Sequence, residues 1–238
     1  IKTKELINQK YPDVKVILTR DTDIFVELFK RAEIANKNNA DLFISIHINA
    51  SSSSSAKGTE TFVMGLHRNA SNLEVAKLEN SVILKEDNYE DKYGGFDPND
   101  PESHIVFSLF QNAHQNQSLF MSQLVQDMFS SNLSLNNRGV KQAGFLVLWK
   151  TTMPSILVEA GFISNPDEEK YLNTKEGQEN IAKSIFQAFS KYKKYYEDED
   201  IDITSEEIAE TIVENIEEDN NANTSENEKI EDIVGDAL

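Results

Sequence analysis

Two stretches set a chemically capable side chain where an apolar run ends. In the first, Leu42-Phe43-Ile44-Ser45-Ile46-His47-Ile48-Asn49, one imidazole sits near the end of an almost unbroken run. In the second, Met153-Pro154-Ser155-Ile156-Leu157-Val158-Glu159-Ala160-Gly161-Phe162, a β-rich run ends in one carboxylate, and a glycine follows that permits a tight exit. A carboxylate at the tip of a buried strand is costly unless it is paired, bound to metal or catalytic. Two parallel strands would present Glu159 and His47 at the same edge. That pairing suits metal-assisted hydrolysis, in which imidazole holds zinc and the carboxylate takes a proton from the attacking water. His47 taken alone also admits a plainer role, a buried histidine bonded to a carbonyl.

The elements that must position these groups follow from periodicity. Runs as apolar as residues 42–48 suit a strand covered on both faces of a parallel sheet. Side chains alternate along a strand, so Phe43, Ser45, His47 and Asn49 share one face. Ligands of open α/β sheets gather beyond the carboxyl ends of the strands, where His47 and Asn49 lie. Asn49 is a candidate for a contact with substrate or with a primary ligand, or simply for strand-end turn chemistry. Further strands are predicted over residues 14–18, 59–64 and 140–149. Phe25, Leu28, Phe29, Ala32 and Ala35 fall at helical spacing behind a cap at 21–23, with Arg31 off the stripe on a solvated face. Leu119, Phe120, Leu124, Met128 and Phe129 mark another helix, and Ile181, Ile185, Phe189 and Tyr192 a closing one. Asn165 or Ser164 can cap the turn between them. The result is a single α/β catalytic domain, a mostly parallel sheet with helices on both faces. A long insertion, about residues 66–116, interrupts it, with a helix near 73–84 and a turn-rich segment at 93–101.

Charge divides the chain more sharply than hydropathy does. Of the 41 acidic residues among 238, 17 lie in residues 197–238, against one basic residue, Lys229. Residues 1–196 are therefore nearly neutral and form the catalytic domain, while 197–238 read as a disordered polyanionic tail. Two apolar stripes in the tail, Ile208, Ile212 and Ile216, then Ile230, Ile233 and Val234, would serve as docking helices if a partner exists. Such a balance argues against nucleic acid as a partner, since that needs a basic surface. There is no cysteine, which removes disulfides and thiolate metal sites. No apolar run is long enough to span a membrane. The chain starts with Ile1, in what reads as a helix already under way, so the natural N-terminus is expected to lie upstream.

Five motifs in order carry a resemblance. They are Leu18-Thr19-Arg20; Arg31 followed by Ala35-Asn36; Ser45-Ile46-His47-Ile48-Asn49-Ala50; Lys57-Gly58-Thr59-Glu60; and Val158-Glu159-Ala160-Gly161-Phe162-Ile163-Ser164-Asn165. Gly139-Val140-Lys141-Gln142-Ala143-Gly144-Phe145 adds a sixth. Together, over about residues 1–196, they resemble the zinc-dependent N-acetylmuramoyl-L-alanine amidases of the amidase-3 type, which cut peptidoglycan. The resemblance implies Zn2+ as cofactor, His47 as a ligand and Glu159 as general base. The bond cut is the amide between N-acetylmuramic acid and L-alanine of the stem peptide. Location in the cell envelope, periplasmic or secreted, goes with that substrate. Two further ligands, a histidine in a Gly-His-Gly-Gly turn and a glutamate, are implied upstream of Ile1. The insertion resembles a regulatory segment whose helix lies over the site and offers a glutamate to zinc until an activator protein moves it. Glu79 best matches that glutamate, although an exposed surface glutamate would look the same in sequence.

His67, His104 and His114 do not form a compact ligand set and read as surface residues. With His47 as the one convincing ligand present, a non-catalytic fragment or regulatory version of the same fold is the competing reading. A nucleotide-binding or serine-hydrolase reading finds no glycine-rich phosphate loop and no Gly-x-Ser-x-Gly pattern.

Overall fold

The computed structural model describes residues 1–66, 70–108, 114–197 and 212–213. A four-stranded sheet lies at its centre: β1 (Phe43–Asn49), β2 (Thr59–Met64), β3 (Asn137–Ala143) and β4 (Ser155–Phe162), in the order β1-β4-β2-β3. β1 runs parallel to β4 and β2 parallel to β3, while β2 and β4 are antiparallel. The sheet is mostly parallel, as expected, but β1, at its edge, is not covered on both faces as foreseen: Ile46 and Ile48 are about half exposed. β2 and β4 are buried at every position, which a strand with neighbours on both edges and layers on both faces must be.

Alternation along β4 separates two cores. Ile156, Val158 and Ala160 face α6 (Gln115–Asn132) and α8 (Lys175–Glu197), where Leu119, Val125, Phe129, Ile181 and Ile185 meet them. Leu157 faces the other way, toward α2 (Leu28–Lys37), the loop after β3, and the inserted segment. Glu159 is on this second face, so its carboxylate emerges beneath the insertion. Ile181, Ile185 and Tyr192 of α8 are buried as their spacing predicts. Asn165 caps α7 (Pro166–Leu172), its Oδ1 accepting from the N–H groups of Asp167 and Glu168. α1 (Lys2–Lys10) packs along α8.

Among the described residues the insertion holds four helical elements before α6: α3 (Ala70–Asn80), a 3-10 helix (Ser81–Lys85), α4 (Tyr89–Lys92) and α5 (Pro101–Ser108). Val75, Ala76, Ile83, Tyr93 and Phe96 seal it onto the second core.

Several expectations fail. Residues 14–18 form no regular secondary structure and pair with no strand among the described residues, because an alternating pattern specifies a face and not a ladder partner. The strand expected over 140–149 ends at Ala143. The chain then turns, with Leu148 and Trp149 N–H donating to the Phe145 carbonyl, and Phe145, Leu146, Val147 and Leu148 are all buried in the second core. The cap expected at 21–23 is not used. α2 starts at Leu28, whose N–H donates to Glu86 Oε1 at 2.8 Å, and Phe25 lies outside the helix, about half exposed. Of the tail, residues 198–211 and 214–238 lie outside the described residues, and with them the expected disorder and most of both stripes. Ile212 is described and is buried in the α6–α8 core.

Candidate metal centre

The parallel register of β1 and β4 sets His47 directly beside Glu159. The pairing shifts after His47, so that Asn49 meets Phe162. Gly161 absorbs that shift with φ +141°, and a Cβ there would meet Glu168 Oε2 at 3.3 Å. Glu168, from α7, ties the start of β2 to the end of β4 by accepting from Gly58 N–H and Phe162 N–H, both at 2.7 Å.

His47 uses both ring nitrogens. Its Nε2 lies 2.8 Å from Ser45 Oγ on the same strand face, which fixes the ring orientation. Its Nδ1 lies 2.7 Å from Glu79 Oε2. Glu79 comes from the last turn of α3. That turn is seated by the buried Asn80, whose Nδ2 donates to the Gly144 carbonyl at 2.7 Å and whose Oδ1 accepts from Leu146 N–H at 2.9 Å. The inserted helix thus delivers a carboxylate to the strand histidine.

Glu159 is fully buried, and neither of its oxygens has a hydrogen-bond partner. Burial, followed by the nearby Glu79 and Glu60 carboxylates, raises its pKa well above the usual carboxylate value. Such an orphaned carboxyl is costly for folding and marks a site built for a ligand or a proton. Ligand atoms of His47, Glu79 and Glu159 all lie within 4.8 Å of one another. One imidazole and two carboxylates, with the far imidazole nitrogen already held, fit a divalent metal ion.

Asn49, the last residue of β1, shows the strand-end chemistry foreseen for it and a side-chain bond besides. It is buried, its Oδ1 accepts from Ala50 N–H, and its Nδ2 donates to Glu60 Oε1 at 2.7 Å. It therefore serves Glu60, which stands opposite Glu159 across the antiparallel pair. Glu60 Oε2 accepts from Arg138 Nε at 2.8 Å and from Lys141 Nζ. Burial would push Glu60 up, but Lys141 and Arg138 outweigh it and hold the carboxyl below its ordinary value. The sequence reading quoted Glu60 only within a motif. The signal was there, since it is one acid in the otherwise uncharged strand Thr59–Met64.

Arg31 is not on a solvated face. It is half-buried, with Nε donating to the Val26 carbonyl, and burial and the nearby Arg20 lower its pKa. His104 is buried rather than exposed, its Nε2 2.9 Å from the Pro98 carbonyl and its ring against Phe96. His114 is half-buried at the start of α6, with Nδ1 2.8 Å from Gln117 Oε1. His67 lies outside the described residues.

The chain is similar to known proteins over most of its length. The chain is 32% identical over 185 residues to N-acetylmuramoyl-L-alanine amidase AmiA of Escherichia coli, covering 76% of this chain and 62% of AmiA. It is 34% identical over 186 residues to AmiC of Escherichia coli, covering 77% of this chain and 43% of AmiC. It thus spans less than two thirds of either relative. Among solved structures, the CwlD amidase from Clostridioides difficile, in complex with the GerS lipoprotein, is similar with a TM-score of 0.56 at 25% identity, covering 82% of each chain. A family profile described as N-acetylmuramoyl-L-alanine amidase matches residues 1–191, and the chain belongs to that family.

Proposed function

We propose that the chain carries the zinc-dependent hydrolysis of the amide between N-acetylmuramic acid and L-alanine of peptidoglycan, and that Glu79 restrains it. The observation that carries the reading is the orphaned, fully buried Glu159 beside a strand histidine in register with it. His47 would hold the ion through Nδ1, with Ser45 orienting the ring. A zinc ion bound there supplies a Lewis acid for the amide carbonyl and makes a nearby water acidic near neutral pH.

The chain's own groups do the rest. A carboxylate held in apolar surroundings is a stronger base than one in water, so Glu159 is suited to take the proton of the attacking water. The same carboxyl then returns that proton to the alanine nitrogen as the C–N bond breaks. The products are the glycan with a free lactyl carboxylate and the stem peptide with a free amine. Glu79 occupies the nitrogen of His47 that the ion needs, and α3 covers the strand ends that substrate must reach. An activating protein that draws α3 away would release both restraints. Peptidoglycan as substrate places the work in the cell envelope; among the described residues no helix is long and apolar enough to cross a membrane.

The test is release of stem peptide from purified peptidoglycan with zinc present. Glu79→Ala should raise basal hydrolysis several-fold, and adding Glu159→Gln should remove it, by about 10²–10⁴-fold. Unchanged basal turnover in Glu79→Ala would remove the restraint. Persistent turnover in the double variant would remove Glu159 as base.

A further inference from the structure

The last turns of α8 carry Lys191, Lys193 and Lys194, which line a cavity of about 510 Å³ together with Tyr11, Ser190 and Glu197. Its walls therefore present three ammonium groups and one carboxylate. Lys193 is engaged: it pairs with Glu197, and its Nζ lies 5.5 Å from the Tyr11 ring centroid. Lys191 and Lys194 are exposed. The chain that leaves this cavity is its electrostatic complement. Residues 198–211 contain seven acids and no base.

That acidic run leads to Ile212, which is only 4% exposed in the core that α6 and α8 share, with Val213 partly buried against the same cluster. A solvated polyanion has no reason to bury an isoleucine; loss of apolar surface to the α6–α8 core supplies one. Ile212 and Val213 are helical. In a helix, Ile208 and Ile216, four residues to either side, share the face of Ile212. Thr204-Ser205-Glu206-Glu207, just before this stripe, has the form of a helix start, a threonine cap with a glutamate three residues on.

We propose that the first part of the tail docks on the chain's own catalytic domain. The stripe Ile208, Ile212 and Ile216 packs as an amphipathic helix on the α6–α8 pair, and the acidic run before it neutralises Lys191 and Lys194. The occupant of this surface is thus residues 198–216 of the same chain. Of the two apolar stripes in the tail, the second, Ile230, Ile233 and Val234, is the one left for another protein. The two halves of the contact respond differently to solution conditions, since salt screens the exposed charge pairs and leaves the apolar seat.

Hydrogen exchange of the full chain tests the docking. Amides of residues 208–216 should exchange at least about a hundredfold more slowly than in an unstructured peptide, at every protein concentration. Ile212→Asp should reduce that protection at least about tenfold, while Ile233→Asp leaves it unchanged. Lys191→Gln with Lys194→Gln should reduce it about threefold at low salt, as should salt on the order of 0.5 M in the parent chain. Unprotected amides over 208–216 in the parent, or protection that survives Ile212→Asp, would overturn the proposal. Protection that grows with protein concentration would also overturn it, because a second copy would then be the occupant. Protection indifferent to both the lysine changes and salt would overturn the electrostatic half. Should Ile212→Asp fail to fold, Ile212→Ala decides: protection lowered by about threefold or more supports the docking, and undiminished protection overturns it.

Discussion

A carboxyl group with nothing to bond to, at the centre of a sheet, is a cost that folding carries. Glu159 is held above the usual carboxylate value by burial, Glu79 and Glu60, so the native state prefers it protonated. In the unfolded chain it ionises as an ordinary glutamate. Between those two values folding must take up a proton, and stability falls as pH rises. Glu159→Gln abolishes that dependence. The variant should therefore melt higher than the parent in metal-free buffer, with a gap that widens as pH rises above the ordinary glutamate value and narrows when zinc is added. Melting curves at several pH values check this, and a constant gap would show that the carboxyl does not carry the strain. That His47 and Glu159 stand side by side was legible in the sequence, because each is a single polar group near the end of an apolar run and two parallel strands bring such ends together. The roles of Glu60 and Arg138 were not, because they depend on β3 meeting β2, a contact between segments 78 residues apart at Glu60 and Arg138.

α3 behaves as a separable element within the insertion. Its apolar seat is small, with Val75 and Ala76 as its buried hydrophobic residues, and its C-terminal turn depends on the two hydrogen bonds of Asn80. Removing a buried side chain that satisfies two backbone groups costs about 1–3 kcal/mol. Asn80→Ala should therefore loosen α3, raise basal hydrolysis as Glu79→Ala does, and lower the melting temperature, which Glu79→Ala should not do to the same degree. Peptide release and melting, measured together, separate the two effects; basal hydrolysis unchanged in Asn80→Ala would mean that α3 is not held by this contact. The helix itself was foreseen near residues 73–84, as were β1, β2, β4, α6 and α8, because each carries an apolar period over several turns or pleats. Residues 145–148 misled for the opposite reason: four consecutive apolar residues without alternation fit a turn pressed into the core as well as a strand.

Across the whole molecule, the insertion and the sheet are tied together by polar contacts that no local pattern announces. Glu86, buried in the insertion, accepts from the first N–H of α2 and from the Tyr93 hydroxyl, and that hydroxyl in turn accepts from Phe29 N–H. Lys92 reaches Glu27 beside them. The insertion thus caps α2, which explains why no capping residue stands immediately before that helix. Glu86→Ala leaves buried donors without an acceptor, at a cost of about 1–3 kcal/mol. The melting temperature should fall by roughly 2–12 °C for a chain of this size, while a shift below one degree would show that the insertion is only loosely attached there. Glu86 and Tyr93 thus fasten the insertion to α2 through contacts separate from those of α3.

The account turns on His47 holding an ion beside Glu159, at the ring nitrogen that Glu79 covers, and titration of the metal-free chain with zinc, followed by calorimetry, tests that most directly. One equivalent should bind, at least tenfold more weakly in His47→Ala, with release of a proton as Glu159 ionises. No uptake of zinc, or uptake indifferent to His47, would contradict it.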